Sequence, residues 1–279
     1  MLFPMFYGFI APDVVAAQPF TVMKTAIDLA NRLDAQLSVA IGARQLSVSS
    51  LLSSSTVEGL IAAENKRSAS SAALANDKIS ELAKGSGLTP HTEILKGDLG
   101  QLKVRFSMRA RLHSLVVAEA GKLGELLGSE LVEPFIFDSG RPALILPNGY
   151  DGAISLNQML IAWDGSTGAA RAVWDSLPLL RLAKKIEIVT ITGEKNLGET
   201  APASSLAPVF SYLGKDINVA AIKYDGTSAA SLIRDHAAEI GAGVIVQGAY
   251  GRSRWLEFVL GGVTREMLRD SALPILMSH

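Results

Sequence analysis

The same plan runs through this chain twice, and that repetition constrains the fold more than any single residue does. Residues 5–10 and 159–163 are apolar runs of strand length, each followed by small or polar residues and then a helical pattern. Residues 36–41 and 186–191 read as second strands, Thr92–Leu95 and Ile217–Ile222 as third strands, and Ser114–Ala118 and Val244–Gln247 as fourth strands. Arg141–Pro147 and Leu273–Met277 close each half with a short apolar run entered through proline. Strand and helix alternating in this order build βαβ units on a parallel sheet with helices on both faces. The expectation is an α/β protein made of two tandem, open-twisted, parallel five-stranded sheets. Turn-forming residues cluster at Asn148-Gly149-Tyr150-Asp151-Gly152, which puts the joint there. The expected domains are 1–148 and 155–279.

The halves have diverged between their strands. Thr56 to Lys84 reads as one long helix, whereas its counterpart, Ala203 to Gly214, is much shorter. After the first strand of the second half, Ala169, Ala172, Val173, Ser176, Leu177 and Leu180 recur at helical spacing, with Ser166 or Thr167 as the cap. Pro178 predicts a kink there.

Composition excludes several classes of function. Of 279 residues 48% are hydrophobic and 19% charged, enough core material to exclude intrinsic disorder. A net charge of −1, with Lys and Arg spread thinly, argues against nucleic acid as a partner. With no cysteine there are no disulfides, thiolate nucleophiles or cysteine zinc sites. The apolar start, Met1 to Ile10, lacks a basic region and contains Pro4, so a buried first strand is expected in place of a signal peptide. No segment reaches the ~18 apolar residues of a membrane span. These features point to a cytoplasmic protein with no membrane partner.

One loop carries chemistry. Gly248-Ala-Tyr-Gly251, nine residues, then Gly261-Gly262-Val263-Thr264 follow the fourth strand of the second half. Glycines after a buried strand and before a helix let the backbone approach an anion, which the helix N-terminus favours. Two further segments converge on the same carboxyl edge, where open α/β sheets bind ligands. These are Asp164-Gly165-Ser166 and Thr190-Ile191-Thr192. The alternatives stay open: the glycines could serve turn geometry alone, and Asp164 could cap the next helix. Gly241-Ala-Gly243 precedes a strand and reads as a loop, not a dinucleotide fingerprint. His91, His113, His236 and His279 show no metal-ligand spacing, and His236, with Asp235 and Glu239, reads as a solvated face. No nucleophile–base pair is evident, so no catalytic residue is assigned.

Asp164-Gly165-Ser166, Gly248-x2-Gly251-x9-Gly261 and the closing Leu273–Met277 together resemble the universal stress protein family. The resemblance is carried by motifs across about 157–279 and by topology in 1–148. It implies a tandem member with a Rossmann-like, adenine nucleotide alpha hydrolase-like fold, its halves packed as an internal pseudo-dimer. It also implies a stress-response regulator that binds ATP or another adenine nucleotide, with Mg²⁺ admissible between the phosphates. The site it implies is Asp164, Gly165 and Ser166 at the adenine or ribose end and Thr190 and Ile191 lining the base. Gly248, Gly251, Arg252, Gly261, Gly262, Val263 and Thr264 would surround the phosphates. The family's Ser/Thr after the third glycine is Gly262 here, so one hydroxyl is missing. In the first half Ala11-Pro12 replaces Asp-Gly, and Gly121-x2-Gly124-x3-Gly128-Ser129 is too short, so no nucleotide is expected there. The family also implies a homodimer through the fifth strands, and its protein partners are unknown. Action by conformational change is expected, with an empty, vestigial interaction module or a weak ATPase as alternatives.

Overall fold

A computed structural model describes residues 3–10, 18–47, 54–120, 131–193, 202–249 and 262–279. Close packing divides the chain into two units. The first is Met1–Arg141 with Asn148–Ala153, and the second is Pro142–Pro147 with Ile154–His279.

In the first unit β1 (Phe3–Ile10), α1 (Gln18–Arg32), β2 (Ala35–Arg44), α2 (Ser55–Lys84), β3 (His91–Gly97), α3 (Leu99–Ala110), β4 (Leu115–Glu119) and α4 (Val132–Phe137) follow in turn. The strands lie in the order β3-β2-β1-β4, with β2 parallel to both β1 and β3 and β1 parallel to β4. Chain order therefore reverses between β1 and β4. Helix α2 starts at Ser54, whose side chain accepts from the Val57 N–H. It buries Ser68, Ser71, Ala72, Ala75, Ile79 and Ala83, a helical stripe of mostly small residues that lets it lie close to the sheet. Asn65 bonds both the N–H and the C=O of Leu46, at 2.7 and 3.0 Å, and so ties this helix to the end of β2.

The second unit contains β5 (Ala143–Leu146), β6 (Gln158–Ala162), α5 (Thr167–Asp175), α6 (Leu177–Leu182), β7 (Lys185–Thr192) and α7 (Ala203–Leu206) with a 3-10 segment at Ala207–Leu213. It continues through β8 (Asp216–Lys223), α8 (Ala229–Glu239), β9 (Val244–Gly248), α9 (Gly262–Asp270) and β10 (Ile275–Ser278). Its strand order is β5-β10-β9-β6-β7-β8, parallel except for β5, which runs antiparallel to β10 with Ile275 opposite Ile145. Here the chain order reverses between β6 and β9.

The α/β class, the ten strands and the parallel order agree with the sequence reading. The packing adds that the fifth strand of the first half joins the second unit, which gives four strands in one unit and six in the other. Strand β10 then has β9 on one side and β5 on the other. The fifth-strand edge expected to join two chains is already occupied within one. The kink expected at Pro178 is a complete break: Ser176 ends α5 and begins α6, and its Oγ donates to the Val173 carbonyl at 2.8 Å. Gly243 passes the Ser155 carbonyl so closely that a Cβ would lie 2.0 Å from it. That glycine serves packing, in keeping with its reading as a loop glycine.

The core of the first unit has one anomaly. Tyr7 of β1 is fully buried, stacked on Phe9 at 5.3 Å between ring centroids, and its hydroxyl has no hydrogen-bond partner among the described residues. Burial pushes this phenol well above the ordinary tyrosine range, and the Glu119 carboxylate adds to the effect. An acid whose folded pKa is raised keeps its proton while the unfolded chain loses it, so stability falls as pH climbs past about 10. Tyr7→Phe removes the unbonded hydroxyl. It should stabilise the protein by about 1 kcal/mol in urea denaturation at neutral pH and remove this part of the alkaline loss.

Candidate functional site

The carboxyl edge of the second unit is built around the chain reversal between β6 and β9. Strand β6 ends at Ala162, and Trp163 prolongs its pairing by donating its N–H to the Val189 carbonyl at 2.8 Å. Asp164 is exposed, and its Oδ1 accepts from the Ser166 N–H at 2.9 Å across Gly165, whose φ of +71° the tight turn requires. Ser166 is the cap of α5 and accepts from the Ala169 N–H at 3.1 Å. The cap is therefore the serine, and Asp164 Oδ2 keeps no partner among the described residues.

On the adjoining strand Thr190 and Ile191 are half-buried at the end of β7. The Thr190 hydroxyl donates to the Trp163 carbonyl at 2.8 Å. It therefore joins two strand ends, and what it offers a ligand is its methyl and backbone.

Register brings Gly248 beside these residues, because Ile161 of β6 pairs with Val246 of β9. Gly248 meets the first turn of α5: a Cβ there would lie 2.6 Å from the Ala169 nitrogen and 2.6 Å from the Gly168 carbonyl carbon. The glycine is required by helix–strand packing, and the packing sets the start of α5 against the end of β9. The next residue, Ala249, donates its N–H to the Ser278 carbonyl at 2.8 Å, and its own carbonyl lies 3.2 Å from His279 Nδ1. Arg171 of α5 donates to the His279 carbonyl. His279 thus stands at the same edge, a placement that no spacing in the sequence indicated.

Helix α9 begins at Gly262, which is exposed, with open space where a Cβ would go. Val263 is half-buried and Thr264 is 3% exposed. Gly251, Arg252 and Gly261 lie outside the described residues, as do Ala11, Pro12 and the 121–129 glycine run of the first half. In the first half, Glu119 at the end of β4 accepts from the Gly149 N–H at 2.8 Å.

Two polar placements went unseen in the sequence. His236 is not on a solvated face: its Nε2 bonds the carboxylate of Glu187, a residue of β7 that is 8% exposed. The sign in the sequence is one acidic residue inside the apolar strand Ile186-Glu-Ile-Val189. The second is Gln247, at 4% exposure in the last buried position of β9. Trp163 is buried, whereas Trp174 is half-exposed against Phe210.

The residues present fit the phosphate end of a nucleotide better than its base. The open start of α9 offers first-turn amides to an anion, whereas on the base side the Thr190 hydroxyl is already used and only the free Asp164 oxygen remains to accept from a donor. Among the described residues no cluster of three His, Asp or Glu side chains could hold a metal ion.

No family model matches the chain, and no curated protein matches it in sequence. Solved structures do. A universal stress protein from Archaeoglobus fulgidus DSM 4304 superposes over 99% of this chain and 97% of its own, with a TM-score of 0.74 at 17% identity. A putative universal stress protein from Pseudomonas aeruginosa covers 99% of this chain and 93% of its own, at TM-score 0.57 and 12% identity. The chain has the universal stress protein fold. A functionally unknown protein from P. aeruginosa PAO1 shares it over 98% of this chain and 92% of its own, at TM-score 0.55 and 13% identity.

The contact at Gly248 is testable by itself. Gly248→Ala forces a methyl into helix backbone and should cost about 1–3 kcal/mol in chemical denaturation. An alanine tolerated at full stability would show that α5 does not sit so close.

Proposed function

We propose that this chain is a tandem universal stress protein of the cytoplasm whose second unit binds ATP or a related adenine nucleotide. Binding, in this reading, changes a surface that partners recognise, and turnover is not required. The observation that carries the proposal is the convergence of the Asp164 turn, the α5 start and the α9 start at one chain reversal, where open α/β sheets take ligands.

Each group would act by simple chemistry. The free oxygen of Asp164 would accept from ribose or adenine donors, and Ile191 would flank the base. The first-turn amides of α9, at Gly262 and Val263, have no intrahelical acceptor and would hold phosphate oxygens, with the helix dipole adding to the attraction. The nucleotide supplies the negative charge, and any Mg²⁺ would travel with its phosphates. Gly251, Arg252 and Gly261 would complete the enclosure, and Thr264 would pack behind it. Because the ligand binds only the folded chain, it would stabilise the second unit in proportion to its concentration. The first unit would have a structural role. A homodimer of this chain would use a surface other than the filled edges of β10.

Two observations favour a second reading, an interaction module with a vestigial site: Gly262 carries no hydroxyl, and Gly248 is explained by packing alone. Weak ATP hydrolysis is a lesser form of the first reading, without an assigned base.

Titration calorimetry with ATP, ADP and AMP separates these readings. The proposal expects heat and a raised melting temperature, and Gly262→Ser, which fits the open space, should tighten ATP by about tenfold through one added bond to a charged group. No heat at millimolar nucleotide with either protein would favour the vestigial module.

A further inference from the structure

Buried side-chain atoms without a hydrogen-bond partner are few among the described residues, and one residue, Gln247, holds two of them. These atoms are Tyr7 Oη, Asp28 Oδ2, Arg234 Nη1, both polar atoms of the Gln247 carboxamide, and Ser278 Oγ. Gln247 and Ser278 occupy the last positions of neighbouring strands, where Met277 pairs with Gln247 and Ser278 with Gly248. A carboxamide enclosed with neither end bonded is costly, and native proteins keep such groups mainly where something else completes them.

Strand alternation fixes which way Gln247 faces. The Cβ position of Gly248 points at the first turn of α5, so its neighbour Gln247 points to the opposite face of the sheet. That face carries α8, because His236 of α8 bonds Glu187 there, and α9 packs on α8 through Ser228 and Arg234, which both bond Glu266. Gln247 is also the last side chain on that face before the carboxyl edge, the edge from which the chain leaves β9 and at which α9 begins. Its nearest neighbours on that face are apolar: Leu160, Ile245, Ile275 and Met277 are buried beside it, and Glu187, one strand further out, is bonded to His236. A Met or Leu would satisfy this position by packing alone.

We propose that Gln247 is a ligand-binding residue of the second unit, with its Nε2–H donating to a phosphate oxygen in place of the hydroxyl absent at Gly262. The inference rests on the nucleotide reading above and extends it to a residue type outside the glycine motif. It also accounts for the orphaned Nε2, whose missing partner is the ligand.

The test uses full-length protein carrying Gln247→Met, which keeps the volume and removes both polar atoms, and Gln247→Glu, which keeps the shape and replaces the donor with a negative charge. Binding of ATP and of adenosine is measured by calorimetry, and melting of the ligand-free proteins is recorded alongside. The Met variant should melt no lower than wild type yet bind ATP at least about tenfold more weakly, with adenosine affinity within twofold. The Glu variant should lose ATP more completely than the Met variant does. ATP affinity of the Met variant within twofold of wild type would overturn the assignment, and so would equal losses for ATP and adenosine. A wild-type protein that binds no nucleotide overturns the nucleotide reading itself, so the two failures give different results.

Discussion

At Gly248 a strand end and a helix start meet with no room for a methyl group, and the rest of the site follows from that approach. Helix α5 can press its first turn against β9 only because the strand presents bare backbone at Gly248. The contact holds the Ser166 cap and the Asp164 turn beside the end of β9, across the point where chain order reverses. Thr190 secures the other side by bonding the Trp163 carbonyl. These contacts fix the α5 side of the edge, and the Gln247 carboxamide lies on the opposite face, which carries α8.

The fold was readable because each strand is a short apolar run and each connection a helical or turn pattern, so the two periods separate cleanly. What escaped were facts that depend on partners distant in sequence. Nothing in Ala143–Leu146 announces that it pairs antiparallel with Ile275–Met277 and joins the second unit. Nothing around His236 points to Glu187, 49 residues earlier, although a lone acid within an apolar strand was a visible irregularity. Asp164 and Ser166 were both candidate caps, and only the geometry assigns that role to Ser166. The sequence marks Gly248 as a residue that must allow close approach. The body that approaches it is the first turn of a helix, and a sequence does not name the neighbour.

The halves differ in a way consistent with divided roles. In the first unit the end of β4 is occupied, because Glu119 accepts a backbone N–H from Gly149. In the second unit the equivalent strand ends in Gln247 and Gly248, and the Gln247 carboxamide leaves hydrogen-bonding capacity unspent. Such unspent capacity is a cost in the free protein and a gain when a partner arrives, the expected arrangement for a site that responds to a ligand.

The central claim is that nucleotide occupies the second unit alone, at the edge shared by β6, β7 and β9. Photoaffinity labelling with 8-azido-ATP, followed by peptide mapping and competition with unlabelled ATP, tests it most directly. The account predicts competable label confined to peptides from residues 154–279, centred on those carrying Asp164 or Ile191. Label concentrated in residues 1–141, or label that excess ATP does not displace, would contradict it.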